Sequence, residues 1–204
     1  MDPIFEAYKQ ILSEQTIDLT NHKPKYTKED KQAHSKKLAY KKIQDYIDSG
    51  SQGDLDLSNT QITSLPDNLK VVGYLDLSNT RITSLPDNLK VDGSLGLSNT
   101  QITSLPDNLE VDGSLDISRT PITSLPDNLE VSRSLILYNT QITSLPDNLK
   151  VGGSLYLYNT QIKSLPGNLE VGGDLELSNT PISKKYTEEE LRRMLPGVRG
   201  NIKY

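Results

Sequence analysis

The chain has 204 residues, a net charge of −5 and a hydrophobic fraction of only 34%, low for a compact globule. Cysteine is absent, which excludes a disulfide framework, a thiol nucleophile and a zinc–thiolate site. No stretch approaches the roughly 18 apolar residues of a membrane span, and the opening Met1-Asp2-Pro3-Ile4-Phe5-Glu6 lacks the build of a secretory signal, so a reducing cytoplasm is the expected compartment.

In chain order, residues 1–26 come first. Ile4, Phe5, Tyr8, Ile11 and Leu12 share one helical face over 3–13, with Asp2 as N-cap and Pro3 at the first helical position. That stripe either packs on the rest of the chain or docks on a partner. Residues 14–26 read as a polar connector. Residues 27–50 form the next unit, with a helix expected over 28–48. Thr27 and Asp30 resemble a capping box, Leu38, Ala39, Ile43, Tyr46 and Ile47 make the apolar face, and Ser49-Gly50 ends it. Lys31, Lys36, Lys37, Lys41 and Lys42 are interspersed with acids and read as a solvated face. The helix precedes the first repeat, where an exposed apolar rung needs covering, so it is expected to cap the N-terminal end.

Residues 51–183 repeat one phrase every 20 residues, beginning at Leu55, Leu75, Leu95, Leu115, Leu135, Leu155 and Leu175. A fixed short period of this kind signals a solenoid, here of seven coils. Alternation places Leu, Ile, Thr and Val inward and the intervening residues outward. Asp67-Asn68 and its copies follow a proline and suit a tight turn. Gly73, Gly93, Gly113, Gly153 and Gly173 mark a bend at which positive φ is expected, and Arg133 breaks that series. Residues 184–204 close the chain. Thr187 and Glu190 make a capping box, Leu191, Met194 and Leu195 one apolar face, and Pro196-Gly197 a stop. Val198, Ile202 and Tyr204 are expected to run as an extended tail over the last rung.

The pattern Leu-x-Leu-x-x-Thr-x-Ile-x-x-Leu-Pro resembles the leucine-rich repeat, with Thr60, Thr80, Thr100, Thr120, Thr140, Thr160 and Thr180 in the place of the family's asparagine. The resemblance covers about two-thirds of the chain and is nearest to short bacterial and phage-borne repeats, including effectors of enteric pathogens. It implies a leucine-rich-repeat-like parallel β-solenoid with short α-helical caps at both ends, and a host cytoplasm if the chain is of phage or effector origin. One departure leaves an alternative open. The spacing Leu-x-Val-x-Gly-x-Leu can form a second short strand on each coil, as in a three-sided β-helix.

Enzymatic readings find no support. The two histidines, His22 and His34, lie before the repeats, and no nucleophile elbow, phosphate loop or zinc spacing is present. The ubiquitin-ligase activity found in the resembled effectors needs a catalytic cysteine in a further domain, so it does not carry over. No cofactor is expected. Residues 51–183 carry 7 basic and 16 acidic side chains, a surface that repels nucleic-acid phosphates.

The outward positions that vary between repeats are the candidates for recognition. They are small or acidic at most rungs but become Ile136 and Tyr138, then Tyr156 and Tyr158, on two neighbouring strands. Strands about 4.8 Å apart bring these four together as one apolar cluster, and tyrosine is a frequent interface anchor. Arg119 and Arg133 are expected at its edge, and Asp116, Asp174 and Glu176 as a polar rim. The bland reading is that the tyrosine pairs only stabilise the sheet. The expected function is therefore binding of a protein partner, with self-assembly into a larger particle as the alternative. Two remoter ideas are a cation at Asp54, Asp56 and Asp76, and ice binding by the column Thr63, Thr83, Thr103, Thr123 and Thr143.

Overall fold

The computed structural model describes residues 27–127 and 129–204. The helix and connector expected over residues 1–26 lie outside the described residues.

Each repeat folds into one coil of short elements. The first strand of each coil takes the Leu-x dipeptide: β1 (Leu55–Asp56), β3 (Leu75–Asp76), β5 (Leu95–Gly96), β7 (Leu115–Asp116), β9 (Leu135–Ile136), β11 (Leu155–Tyr156) and β13 (Leu175–Glu176). With β14 (Ile202–Lys203) they form one eight-stranded parallel sheet whose rungs pair in strict 20-residue register, Leu on Leu. The second strand takes the x-Val dipeptide: β2 (Lys70–Val71), β4 (Lys90–Val91), β6 (Glu110–Val111), β8 (Glu130–Val131), β10 (Lys150–Val151) and β12 (Glu170–Val171). This row is divided into two sheets, β2-β4-β6 and β8-β10-β12. The second strand anticipated for each coil is thus present in the first six coils, and the seventh, beginning at Leu175, has none. The third side, from Gln61 to Pro66 and its copies, carries no strand among the described residues, so a β-helix with three strand rows is not formed.

Leu, Ile and Val of every phrase are buried, as two-residue alternation requires, and stack on their copies along the solenoid axis. The threonine after the first strand closes the turn. Thr60, Thr80, Thr100, Thr120, Thr140, Thr160 and Thr180 each donate the hydroxyl to the carbonyl three residues back, at 2.6–2.7 Å. From Thr80 onward these hydroxyls are buried, so the bond satisfies two groups that water cannot reach.

The bend glycines serve a purpose other than the one their position suggests. None of Gly73, Gly93, Gly113, Gly153 and Gly173 has positive φ. A Cβ at Gly93 would instead lie 2.4 Å from the carbonyl oxygen of Gly73 one coil earlier, and Gly73 meets Gly53 in the same way. Glycine is required because successive backbones touch. Arg133 occupies this column, and the second strand row is interrupted beside it: the bond from the Ser132 amide to the Val111 carbonyl is not made, although the equivalent Asp92–Val71, Asp112–Val91 and Gly152–Val131 bonds are. The break is local: the Arg133 amide still donates to the Gly113 carbonyl, at 3.2 Å against 2.8–2.9 Å for Gly73, Gly113, Gly153 and Gly173. A surface depression of about 360 Å³, lined by Leu109, Glu110, Val111, Glu130 and Ser132, lies at the break.

Both ends are covered. Helix α1 (Lys28–Asp48) starts at the Thr27–Asp30 capping box and presents Ala39, Tyr40, Ile43 and Tyr46 to the first coil. Tyr40 shares a hydrogen bond with Ser64 Oγ at 3.0 Å, and Tyr46 donates to Ser51 O at 2.9 Å. Leu38 and Ile47, expected on this face, are 51% and 38% exposed. At about 100° per residue Leu38 falls outside the arc of Ala39, Tyr40, Ile43 and Tyr46, whereas Ile47 shares that arc but lies at the helix's last turn. At the other end α2 (Glu188–Met194) starts at the Thr187–Glu190 capping box. Leu191 and Leu195, one turn apart, are buried, whereas Met194 points outward at 41% exposure. The tail then adds β14 to β13 and bridges Val198 to Val171. Val198 and Ile202 are buried as expected; Tyr204 is exposed, with its hydroxyl accepting from the Glu188 amide. No described helix is long and apolar enough to cross a membrane.

Candidate interaction face

The outward side of the eight-stranded sheet carries the positions that change from aspartate to isoleucine and tyrosine. Strand register sets Asp56, Asp76, Gly96, Asp116, Ile136, Tyr156, Glu176 and Lys203 in one line across it. Two residues further along each strand run Ser58, Ser78, Ser98, Ser118, Tyr138, Tyr158 and Ser178.

The four cluster residues are brought together. Ile136 and Tyr156 are direct register partners. Tyr138 and Tyr158 stack with ring centroids 4.6 Å apart and planes 11° from parallel. All four are half-buried rather than fully exposed, because each ring shields its neighbour and the strand beneath. Arg119 lies at the edge as expected, its guanidinium 5.4 Å from the Tyr138 ring centroid. It occupies the turn position filled by Asn59, Asn79, Asn99, Asn139, Asn159 and Asn179 and adopts their left-handed conformation, φ 56°. That conformation suits asparagine and is uncommon for a long side chain.

The remaining residues divide. Asp116 and Glu176 border the cluster in register, beside Ile136 and Tyr156. The Asp116 carboxylate accepts from the Ser118 amide at 3.0 Å, and that of Glu176 from the Ser178 amide at 3.0 Å. Asp174 is committed elsewhere: its two oxygens accept from the Asn201 amide and from Lys203 Nζ, at 2.8 and 2.7 Å, and so hold the C-terminal tail. Lys203 in turn holds the Asp174 carboxyl below its ordinary range, with the Asn201 amide adding to the effect. Arg133 is exposed in the bend column, and the only guanidinium stacked on a tyrosine among the described residues is that of Arg119.

Asp54 and Asp56 also serve the backbone, accepting from the amides of Tyr74 and Ser58 at 2.7 and 2.9 Å. Among the described residues no group of three or more His, Asp or Glu side chains is placed to hold a metal ion.

Tyr74 is the residue that reading the cluster alone overlooks. It lies on the same face, 38% exposed, and leans diagonally across the sheet. A Cβ on Gly96 would fall 2.4 Å from the Tyr74 hydroxyl and 3.1 Å from Asp76 Oδ1, so phenol and carboxylate converge above that glycine. Partial burial, and then the charge of Asp76, push the phenol up to about 12. The available signal was a glycine in a strand, which marks close approach by another group.

The leucine-rich-repeat domain of a Shigella effector matches this structure with a TM-score of 0.55 at 18% identity, over 98% of this chain and 96% of that one. A leucine-rich-repeat protein of Leptospira interrogans matches with a TM-score of 0.36 at 22% identity, over 83% of this chain and 57% of that one. No protein-family model and no curated protein matches the chain. The likeness to the Shigella domain, with the stacked 20-residue coils, defines the fold as a leucine-rich-repeat solenoid with helical ends.

Proposed function

We propose that the chain is a non-enzymatic, cytoplasmic module that binds a protein partner through Ile136, Tyr138, Tyr156 and Tyr158. The observation that carries the reading is the stacked Tyr138–Tyr158 pair with Arg119 laid over it. Such a pair is a preformed amphipathic surface whose rotors are already restricted, so a partner meets little ordering cost there. The fold supports interaction in general, since a solenoid offers one extended face assembled from many rungs. Asp116 and Glu176 form the polar border of the patch, where charge sets orientation more than affinity.

The test is affinity capture with the full chain and with the Tyr138→Ala/Tyr158→Ala variant, matched in circular dichroism and melting temperature. Proteins held by the parent chain should be depleted by about tenfold or more with the variant. An unchanged set of captured proteins overturns the patch assignment.

A further inference from the structure

The sheet face is bipolar. Its C-terminal half is the tyrosine and isoleucine patch. Its N-terminal half is a run of carboxylates, Asp56, Asp76 and Asp116, in the same register line as Ile136 and Tyr156. These carboxylates each accept one amide two residues on, and none of the three is ion-paired among the described residues. Three acids elsewhere have a lysine partner, Glu110 with Lys90, Glu130 with Lys150 and Asp174 with Lys203. Lys42 lies beside Asp56, donating to its main-chain carbonyl, so the negative charge left without a cation next to the apolar patch, among the described residues, is that of Asp76 and Asp116. Gly96, with no side chain, is buried beneath the Tyr74 hydroxyl, which fills the space between the Asp76 and Asp116 rungs. Arg119 is placed over Tyr138 at the turn-side edge of the patch, and Lys203 lies beyond Glu176 at its far end.

From this complementarity we propose that the occupant is a basic segment of a partner protein. An apolar side chain of that segment rests on Ile136, Tyr138, Tyr156 and Tyr158, and an arginine or lysine beside it reaches the carboxylates of Asp76 and Asp116. The inference rests on the patch assignment above and adds the partner's charge and its direction across the strands. A nucleic acid or an anionic membrane would be repelled by the same carboxylates. An acidic segment would leave two like charges facing each other.

A library of random linear peptides displayed on phage, selected on the full chain and counter-selected on the Tyr138→Ala/Tyr158→Ala variant, supplies the probe. The Asp76→Asn/Asp116→Asn variant is the second reagent; an asparagine oxygen can still accept the Ser78 and Ser118 amides, so the coil is retained while the charge is lost. Selected peptides should pair an aromatic or aliphatic residue with a neighbouring arginine or lysine. Their affinity should fall about tenfold in the aspartate variant, and fall with added salt for the parent chain only. Peptides that need the tyrosines but show no basic enrichment, and bind the aspartate variant equally, overturn this inference and leave the patch assignment standing. If no selected peptide needs the tyrosines, both fall.

Discussion

The two strand rows of the solenoid are built from the same 20-residue phrase, yet one runs unbroken through eight strands and the other divides between β6 and β8. The difference lies in what each row asks of its outward neighbours. On the first row the side chains between the buried leucines project from the sheet, so the sequence can change from aspartate to glycine to tyrosine without disturbing the pairing. On the second row the strand runs directly into the bend, where consecutive backbones touch and only glycine fits. The first row can carry variation and is therefore where recognition can be written. The second pays for variation in continuity, as Arg133 demonstrates.

The largest effect should come from adding a methyl group where the bend is closed. Gly93→Ala forces a Cβ to 2.4 Å from the Gly73 carbonyl, and should cost about 1–3 kcal/mol in urea unfolding. Arg133→Ala, in the same column where a Cβ is already accommodated, should change stability by no more than about 0.5 kcal/mol. Equal losses in the two variants would remove the steric account of the column. A subtler change is expected from Arg133→Gly. Removing the side chain should form the missing Ser132–Val111 bond, worth about 1 kcal/mol, but glycine raises the entropy of the unfolded chain by a similar amount. The midpoint of unfolding should hardly move while hydrogen exchange of the Ser132 amide slows. A faster or unchanged exchange would show that something other than Arg133 breaks the row there.

Much of this architecture was legible in the residues. The 20-residue period, the inward leucines, the threonine that closes each turn and both capping boxes follow from local rules, because each acts within a few residues of itself. The tyrosine and isoleucine cluster was legible too, once the repeats were set beneath one another. What escaped depends on a neighbour 20 residues away. The bend glycines have ordinary φ, and their necessity appears only when the preceding coil is in place. The convergence of Tyr74 and Asp76 over Gly96 is a diagonal relation between rungs, which alignment of the repeats in columns does not display. Leu38, Ile47 and Met194 are apolar and helical yet exposed, because which part of a helix is covered is decided by the coil it sits on.

The smallest effect concerns the C-terminal tail, where both rows end on the same segment. Ile202 and Lys203 pair with the first row, and Val198 bridges to Val171 on the second. Only the first-row attachment is electrostatic, through Asp174 and Lys203 at 2.7 Å. The Asp174 carboxyl is held below an aspartate's ordinary 3.8, by Lys203 and then by the Asn201 amide, so its contribution is present above that value and lost as pH falls through the folded one. The Lys203 amine is raised above 10.5 by Asp174, so its contribution is present below 10.5 and lost as pH climbs through the folded value. The first-row attachment should thus weaken at both extremes while the apolar Val198 bridge has no titrating partner. Amide exchange at the tail, followed across the acid limb, should report loosening on the Ile202 side before the Val198 side. Asp174→Asn should flatten that limb at the Asn201 amide, which donates to Asp174, and leave the Arg199 amide, which donates to the Val171 carbonyl, unaffected; if both amides loosen together in the parent chain, the tail detaches as one unit and the two rows end alike.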